Sequence, residues 1–284
     1  MFKTIQNEVW AFDCEWVPDP AAAKLLLETD PEATDLEAME ALWENGGATA
    51  EDPRPYLRTV QCRIVSIAAV HRLGRGDDAK LNLIWMPRDP ADPAQNAEAA
   101  LIDRFLQAVG RRQPQLVGYN SRNADLKILL QRAFVNGVSA PGFCRRPDKP
   151  WEGCDYFARD NEWHVDLMDI LGGFGARGAV SLHEAATLSG IPGKIDARGD
   201  DIARMWLDGR WRDIVQYNCF DALTTYLVWL RLAHLGGFFD AARYEIEQDR
   251  VHEMLETLCE APETRFLERY VEEWDRLQVL KDEL

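Results

Sequence analysis

Asp13 and Glu15 stand two residues apart in Glu8-Val9-Trp10-Ala11-Phe12-Asp13-Cys14-Glu15-Trp16-Val17, a run otherwise apolar and β-prone. Side chains at i and i+2 of a strand share a face. Two carboxylates on one face of a buried strand repel each other and lose hydration unless cations sit between them. Such a pair suits a hard divalent metal held by oxygen ligands. The same spacing also fits an edge strand whose acids face water. Two further acids carry the same double meaning. Asp125, in Gly118-Tyr119-Asn120-Ser121-Arg122-Asn123-Ala124-Asp125-Leu126, follows a buried strand and opens a helix. There an acid can be a ligand, or a cap facing the helix dipole. Asp221 follows Tyr217 by four residues, so the two share one helix face. Flanked by Phe220 and Ala222-Leu223, Asp221 reads as either a partly buried ligand or a solvated stripe residue.

The elements that must position these residues follow from periodicity and punctuation. After the first strand, residues 21–50 are rich in Ala, Glu and Leu, which predicts one or two surface helices. Asp52-Pro53-Arg54-Pro55 breaks the chain. A long β-type run covers 59–70, a hairpin turn 73–78, and a returning strand 80–86. A helical pattern over 94–110 precedes a short strand at 115–119 and a helix over 124–136, stopped by Gly137. Residues 138–163 read as a loop rich in Pro, Arg and aromatic residues. The remainder reads as helix over 181–189, 199–208, 211–234 and 241–278. Strands in sequence, then strand–helix alternation, then helices predict an α/β fold in which helices cover a mixed sheet.

Composition narrows the function classes. The net charge of −16 argues against a broad nucleic-acid surface, but the charge is unevenly spread. Residues 1–60 carry 13 acids against 4 bases and residues 241–284 carry 13 against 6, leaving 22 of each between them. Phosphate binding must then rest on bound cations and on local bases such as Arg145, Arg146 and Lys149. The six cysteines form no Cys-x-x-Cys pair, which suggests neither zinc nor a disulfide framework and fits a reducing cytoplasm. No run of 18 apolar residues and no signal-peptide pattern is present. The terminal Lys281-Asp282-Glu283-Leu284 spells an endoplasmic-reticulum retention signal, read here as coincidence in a charged helix end.

Taken in order, Asp13-x-Glu15, Asn120-x4-Asp125 and Tyr217-x3-Asp221 resemble the three exonuclease motifs of the DEDD superfamily, in its tyrosine branch. More narrowly, the chain resembles the predicted 3′–5′ exonucleases related to the proofreading domain of family B DNA polymerases. The runs 62–68, 164–169, 181–186 and 190–194 share in that resemblance, which extends from about Val9 to Arg231. The histidine branch places a His five residues before the last acid; position 216 here is Gln. One departure is Asn218-Cys219-Phe220 between the Tyr and the Asp, where relatives often carry a Cys-Glu-Thr type of sequence.

The resemblance implies a ribonuclease H-like α/β fold, a mixed sheet of about five strands flanked by helices. It implies an exonuclease domain over 1–235, a helical insertion at about 19–56 and a C-terminal helical extension over 236–284. It also implies two divalent cations, Mg²⁺ or Mn²⁺. Asp13, Glu15 and Asp221 hold one of them, and Asp13 bridges to the second, near Asp125. Tyr217, too weak an acid for an efficient base, orients the attacking water. Asn120 fixes the motif loop or touches the terminal nucleotide, Trp151 stacks a base, and Lys194 contacts a phosphate or lies on an exposed loop. His164 and Asp166 read as a structural hydrogen-bonded pair. The expected partners are nucleic-acid 3′ ends, single-stranded DNA before RNA, with the acidic C-terminal helix as a surface for a protein partner. The chain leaves no room for a polymerase module. Two other readings stay open: a non-catalytic binding module on the same fold, and a hydrolase of very short oligonucleotides.

Overall fold

The computed structural model describes residues 2–149, 151–158, 162–175, 178–195 and 202–283. Five strands, β1 (Glu8–Pro18), β2 (Cys62–Leu73), β3 (Lys80–Met86), β4 (Gln115–Gly118) and β5 (His164–Asp166), form one sheet in the order β3-β2-β1-β4-β5. β2 pairs antiparallel with β1 and β3, whereas β4 pairs parallel with β1 and β5. The strand carrying Asp13 and Glu15 is therefore central. The helices are α1 (Pro20–Leu26), α2 (Asp35–Asn45), α3 (Pro93–Asn96), α4 (Glu98–Arg112), α5 (Asp125–Val135) and α6 (Pro141–Cys144). They continue with α7 (Leu167–Leu171), α8 (Leu182–Thr187), α9 (Ile202–Leu207), α10 (Trp211–Leu235), α11 (Ala241–Cys259) and α12 (Glu268–Asp282).

The period-two alternation of β1 divides the molecule into layers. Trp10, Phe12 and Cys14 pack into a core shared with Leu42 of α2, Phe105 of α4 and Leu129 of α5. Val9 and Ala11 enter a second core with Leu223, Tyr226 and Trp229 of α10, and with Val251 and Trp274 of α11 and α12. Asp13 and Glu15 continue the Val9/Ala11 face, so the sheet aims them at α10. The β1–β2 register runs Asp13↔Ala68 and Glu15↔Ser66, then slips at Trp16↔Ile64. Val65 is thus the extra residue of a bulge, a device that re-aims side chains beside functional sites.

Several element boundaries differ from the sequence reading. The β run begins at Cys62 because Thr59–Gln61 form a 3₁₀ turn, and it continues to Leu73. The 94–110 pattern is two helices broken at Ala97, whose extended backbone starts α4. The long 241–278 helix is also two: Pro262 cannot continue α11, and a 3₁₀ turn at Arg265–Leu267 leads into α12. The 138–163 loop contains the short α6; its residues 150 and 159–161 lie outside the described residues. So do 199–201 at the start of the helix expected over 199–208. All six cysteines are free, and among the described residues no helix is long and apolar enough to cross a membrane.

Two buried arginine clusters tie the layers together. Arg132 of α5 donates to Glu98 of α4, to Asp19 at the end of β1 (2.6 Å) and to the carbonyl of Val60. It therefore grips both ends of the segment between β1 and β2. Arg72 of β2 makes a two-point pair with Glu247 of α11, at 2.9 and 3.2 Å, with both side chains excluded from solvent. Burial alone would raise the Glu247 carboxyl, but Arg72, Arg243 and Arg250 around it hold it below its ordinary value. Removing one member of a buried pair strands the other charge. Glu247→Leu is expected to cost about 3–5 kcal/mol in urea unfolding, and Arg72→Met in the same chain to recover most of it. A single-variant loss below about 1 kcal/mol would show that α11 is not anchored through this pair.

Candidate active site

The carboxylates meet where β1, α5 and α10 converge. Ligand-type oxygens of Asp13, Glu15 and Asp221 lie within 4.8 Å of one another, the one such acidic group among the described residues. Tyr217 and Asp221 share a face of α10, one turn apart, with the Tyr217 hydroxyl near enough to Asp221 to oppose the rise of its carboxyl. Together these residues line a cleft of about 590 Å³ that also receives Asp125, Asn120 and Lys194.

Asp125 is near this group but not within it. It opens α5 and is almost wholly buried, and its carboxylate accepts the backbone N–H of Cys14 at 2.9 Å. That bond ties the first turn of α5 to the strand residue between Asp13 and Glu15. The loop leading to Asp125 is clamped from β5. Gly118 ends β4 with no room for a Cβ beside Ser121, and Asn120 adopts a left-handed backbone at φ +57°. Asp166 accepts the backbone N–H groups of Asn120 and Arg122, both at 2.9 Å, and His164 meets the Ser121 hydroxyl at 2.9 Å. His164 and Asp166 thus hold the Asn120 loop in place. Tyr119 closes the loop's other side by donating to the carbonyl of Val180 at 2.6 Å.

Sequence reasoning missed the group that holds Asp13. Asn218 of α10, fully buried, donates its Nδ2 to the Asp13 carboxylate at 2.7 Å. The hydroxyl of Ser66, in turn, donates to Asn218 Oδ1 at 2.8 Å. An ionised carboxylate only accepts, so the amide must present its NH₂ to Asp13 and its oxygen to Ser66. The signal was visible: Ser66 is a polar residue inside an apolar β run, and Asn218 is the first residue of the motif departure noted above. The cleft also has an unforeseen wall of Trp16, Trp43, Arg54 and Tyr56. Trp151, by contrast, does not line the cleft; it is 79% exposed and sits beside the Lys149 ammonium, 5.8 Å from its ring. The loop bases are largely neutralised, Arg146 by Asp155 and Lys149 by Glu152.

Burial is the main cause of the unusual acidity here. It raises Asp13 well above its ordinary value, reinforced by Asp125, Glu15 and Asp221 and opposed by the Asn218 amide. Glu15 is raised in the same way by burial, then by Asp221 and Asp125, with Lys194 opposing. Burial pushes Asp125 up to about 7, against the Cys14 N–H, and Asp221 up to about 6, against the Tyr217 hydroxyl and Lys194. Tyr217 moves further above its usual range through burial and then through the acids around it. Buried, mutually repelling, all-oxygen donors fit hard divalent cations.

The metal-free folded chain therefore holds more protons than the unfolded chain between about pH 4 and pH 7. The cluster's contribution to stability falls as pH rises through that window, and Mn²⁺ is expected to restore it. Asp221→Asn removes one of the repelling charges. At pH 8 in a chelator it should unfold with about 2 kcal/mol more stability than wild type, while losing the stabilisation by Mn²⁺. Thermal melts from pH 5 to 8 check this; an equal pH dependence in the two proteins refutes the assignment. Asn218→Leu is expected to weaken Mn²⁺ binding about tenfold by calorimetry, and unchanged affinity would remove Asn218 from the site.

Comparison with known proteins follows the same line. A family model described as "Predicted 3'-5' exonuclease related to the exonuclease domain of PolB" matches residues 54–274. That span includes Asp125, Tyr217 and Asp221 but begins after Asp13 and Glu15, whose place in the site rests on the geometry above. No curated protein matches the chain. Among solved structures, the chain is similar to the family B DNA polymerase of the hyperthermophilic archaeon Pyrobaculum calidifontis, at 17% identity and a TM-score of 0.48. That similarity covers 80% of this chain but 24% of the polymerase, so the chain corresponds to about a quarter of the enzyme's length. The match over 54–274 establishes that the chain belongs to the family of predicted 3′–5′ exonucleases related to the exonuclease domain of family B DNA polymerases.

Proposed function

We propose that this chain is a divalent-metal-dependent exonuclease that removes nucleotides from the 3′ ends of single-stranded or frayed nucleic acid, DNA in preference to RNA. The observation that carries this reading is the convergence of Asp13, Glu15 and Asp221 within 4.8 Å, beside Tyr217, in an open cleft. Mg²⁺ or Mn²⁺ bound there supplies charge neutralisation at the scissile phosphate and a water acidified towards neutrality. Asp13, Glu15 and Asp221 would hold one ion, and Asp13 with Asp125 a second. Asp13 is suited to the shared position because Asn218 restrains it as a neutral donor, without bringing a competing positive charge.

The remaining residues bind and orient. Tyr217 cannot act as a base near neutral pH, since burial and the neighbouring acids keep its proton on. Its hydroxyl instead aligns the attacking water from its place beside Asp221. Lys194 faces the acids with a positive charge that opposes the rise in Glu15 and Asp221, a position suited to a substrate phosphate. Asn120, on the loop held by Asp166, lines the cleft where a terminal nucleotide would enter. We assign this activity to residues 1–235, with 236–284 as a helical extension packed on them, in a reducing cytoplasm that suits six free cysteines. One observation favours a narrower substrate range: among the described residues Arg54 and Lys194 are the only cationic side chains lining the cleft, which suits very short oligonucleotides.

End-labelled oligonucleotides incubated with Mg²⁺ or Mn²⁺ test the proposal. Wild type should shorten them stepwise from the 3′ end. Asp13→Ala should lose about 10³-fold or more in rate, as expected when one member of a concerted unit is removed. Tyr217→Phe should lose about 10²-fold, the usual scale for a positioned proton-bearing group. Absence of shortening by wild type, or full activity in Asp13→Ala, defeats the reading.

A further inference from the structure

The segment between β1 and β2 does more than fill space. Arg132 holds its beginning at Asp19 and its end at the Val60 carbonyl, and Thr59 donates to Gln131 of α5 at 2.7 Å. Between these anchors, Arg54 and Tyr56 reach the cleft that holds the acids. Trp43 of α2 is buried behind them, and the Arg54 guanidinium lies 5.2 Å from the centre of its ring. Tyr56 is 72% exposed and lines the same cleft as the acids. After burial and Cys62, the charge of Asp125 is what raises its hydroxyl, so the ring is close enough to feel the acidic floor.

Among the described residues two cations, Arg54 and Lys194, line this cleft, so phosphate attraction from them alone gives a nucleic-acid end little affinity. A rigid aromatic face is the alternative source of binding, and it tolerates every base because every base has a π-face. Resting on the reading of the cleft as a site for nucleic-acid 3′ ends, we propose that Tyr56 stacks the base of the 3′-terminal nucleotide. Arg54, steadied on Trp43, takes the phosphate one step back along the strand. The wall thus selects unpaired ends without reading base identity, since a paired terminal base cannot leave its own stack without cost.

The test is fluorescence anisotropy with a 5′-labelled eight-residue oligothymidylate, in Ca²⁺ to slow cleavage. A second oligonucleotide lacks the base of its 3′-terminal residue. Tyr56→Ala should bind the intact strand about tenfold more weakly, and Tyr56→Phe should recover that loss. The abasic end should weaken wild type by a similar factor. Because both changes break one contact, combining them should add nothing further. With two phosphate contacts, the slope of log K against log salt should be about −1.4. Equal affinity of Tyr56→Ala and wild type for the intact strand overturns the stacking role. So do losses that multiply in the combined arm, or a salt slope near −4. In each of those cases the nuclease reading is left standing. Failure of wild type to bind either strand, with no cleavage in Mn²⁺, overturns the stacking role and the nuclease reading together.

Discussion

Repulsion among buried carboxylates is the constraint on which the rest of this structure depends. Four acids from three elements converge in a place where burial already disfavours their charged forms. Without compensation the site would protonate or swell. The fold supplies weak, directed compensation instead of full neutralisation. A backbone N–H reaches Asp125, a side-chain amide reaches Asp13, the Tyr217 phenol lies beside Asp221, and Lys194 acts on Glu15 and Asp221 through its field. None of these donors places a cation in contact with the cluster. The acids stay poised for divalent ions, and the folded chain tolerates an unfavourable site that ligand binding can relieve.

Such a site has to be held by structure that is rigid for other reasons. The central position of β1 gives it two paired neighbours, and the aromatic and aliphatic residues on its other face lock its register. The bulge at Val65 falls beside Glu15, at the point where the strand leaves the site. Charges that would be costly if unpaired appear away from the acids, in the Arg132 and Arg72 clusters, where each is fully paired. The chain therefore separates two uses of buried charge: satisfied pairs fasten the layers, and unsatisfied acids form the cleft.

How much of this was legible in the sequence depended on whether the signal was local. The alternation in β1 placed Asp13 and Glu15 on one face, and the four-residue spacing placed Tyr217 and Asp221 on another. Both survive because they follow from backbone periodicity alone. The Ser66–Asn218–Asp13 chain was not legible, since it joins residues as far apart as 205 positions and depends on side-chain orientation. Trp151, read as a base-stacking candidate from aromatic and basic composition, lies outside the cleft lining, and acids pair Arg146 and Lys149 of its loop. His164 and Asp166, read from the sequence as a hydrogen-bonded pair, instead each bond the Asn120 loop. Their partners lie in the Asn120 loop, which no spacing in the sequence reveals.

The charge of −16 looks incompatible with a polyanionic substrate, yet its distribution removes most of the conflict. A field acts over roughly 8–10 Å at physiological ionic strength, so only charges near the cleft bear strongly on what enters it, and of the 13 acids in residues 1–60 Asp13 and Glu15 line it. Within the cleft the negative charge is concentrated where divalent ions would invert its sign. Among the described residues two cations, Arg54 and Lys194, line the cleft, so under the proposed function little binding would come from phosphate attraction along a polymer. What the proposed function asks it to bind is an end, where one unpaired nucleotide would offer a base to stack and a phosphate beside a compact patch of ligands. The acidity is thus compatible with the proposed reading, in which the chain engages the terminus of a nucleic acid rather than its body.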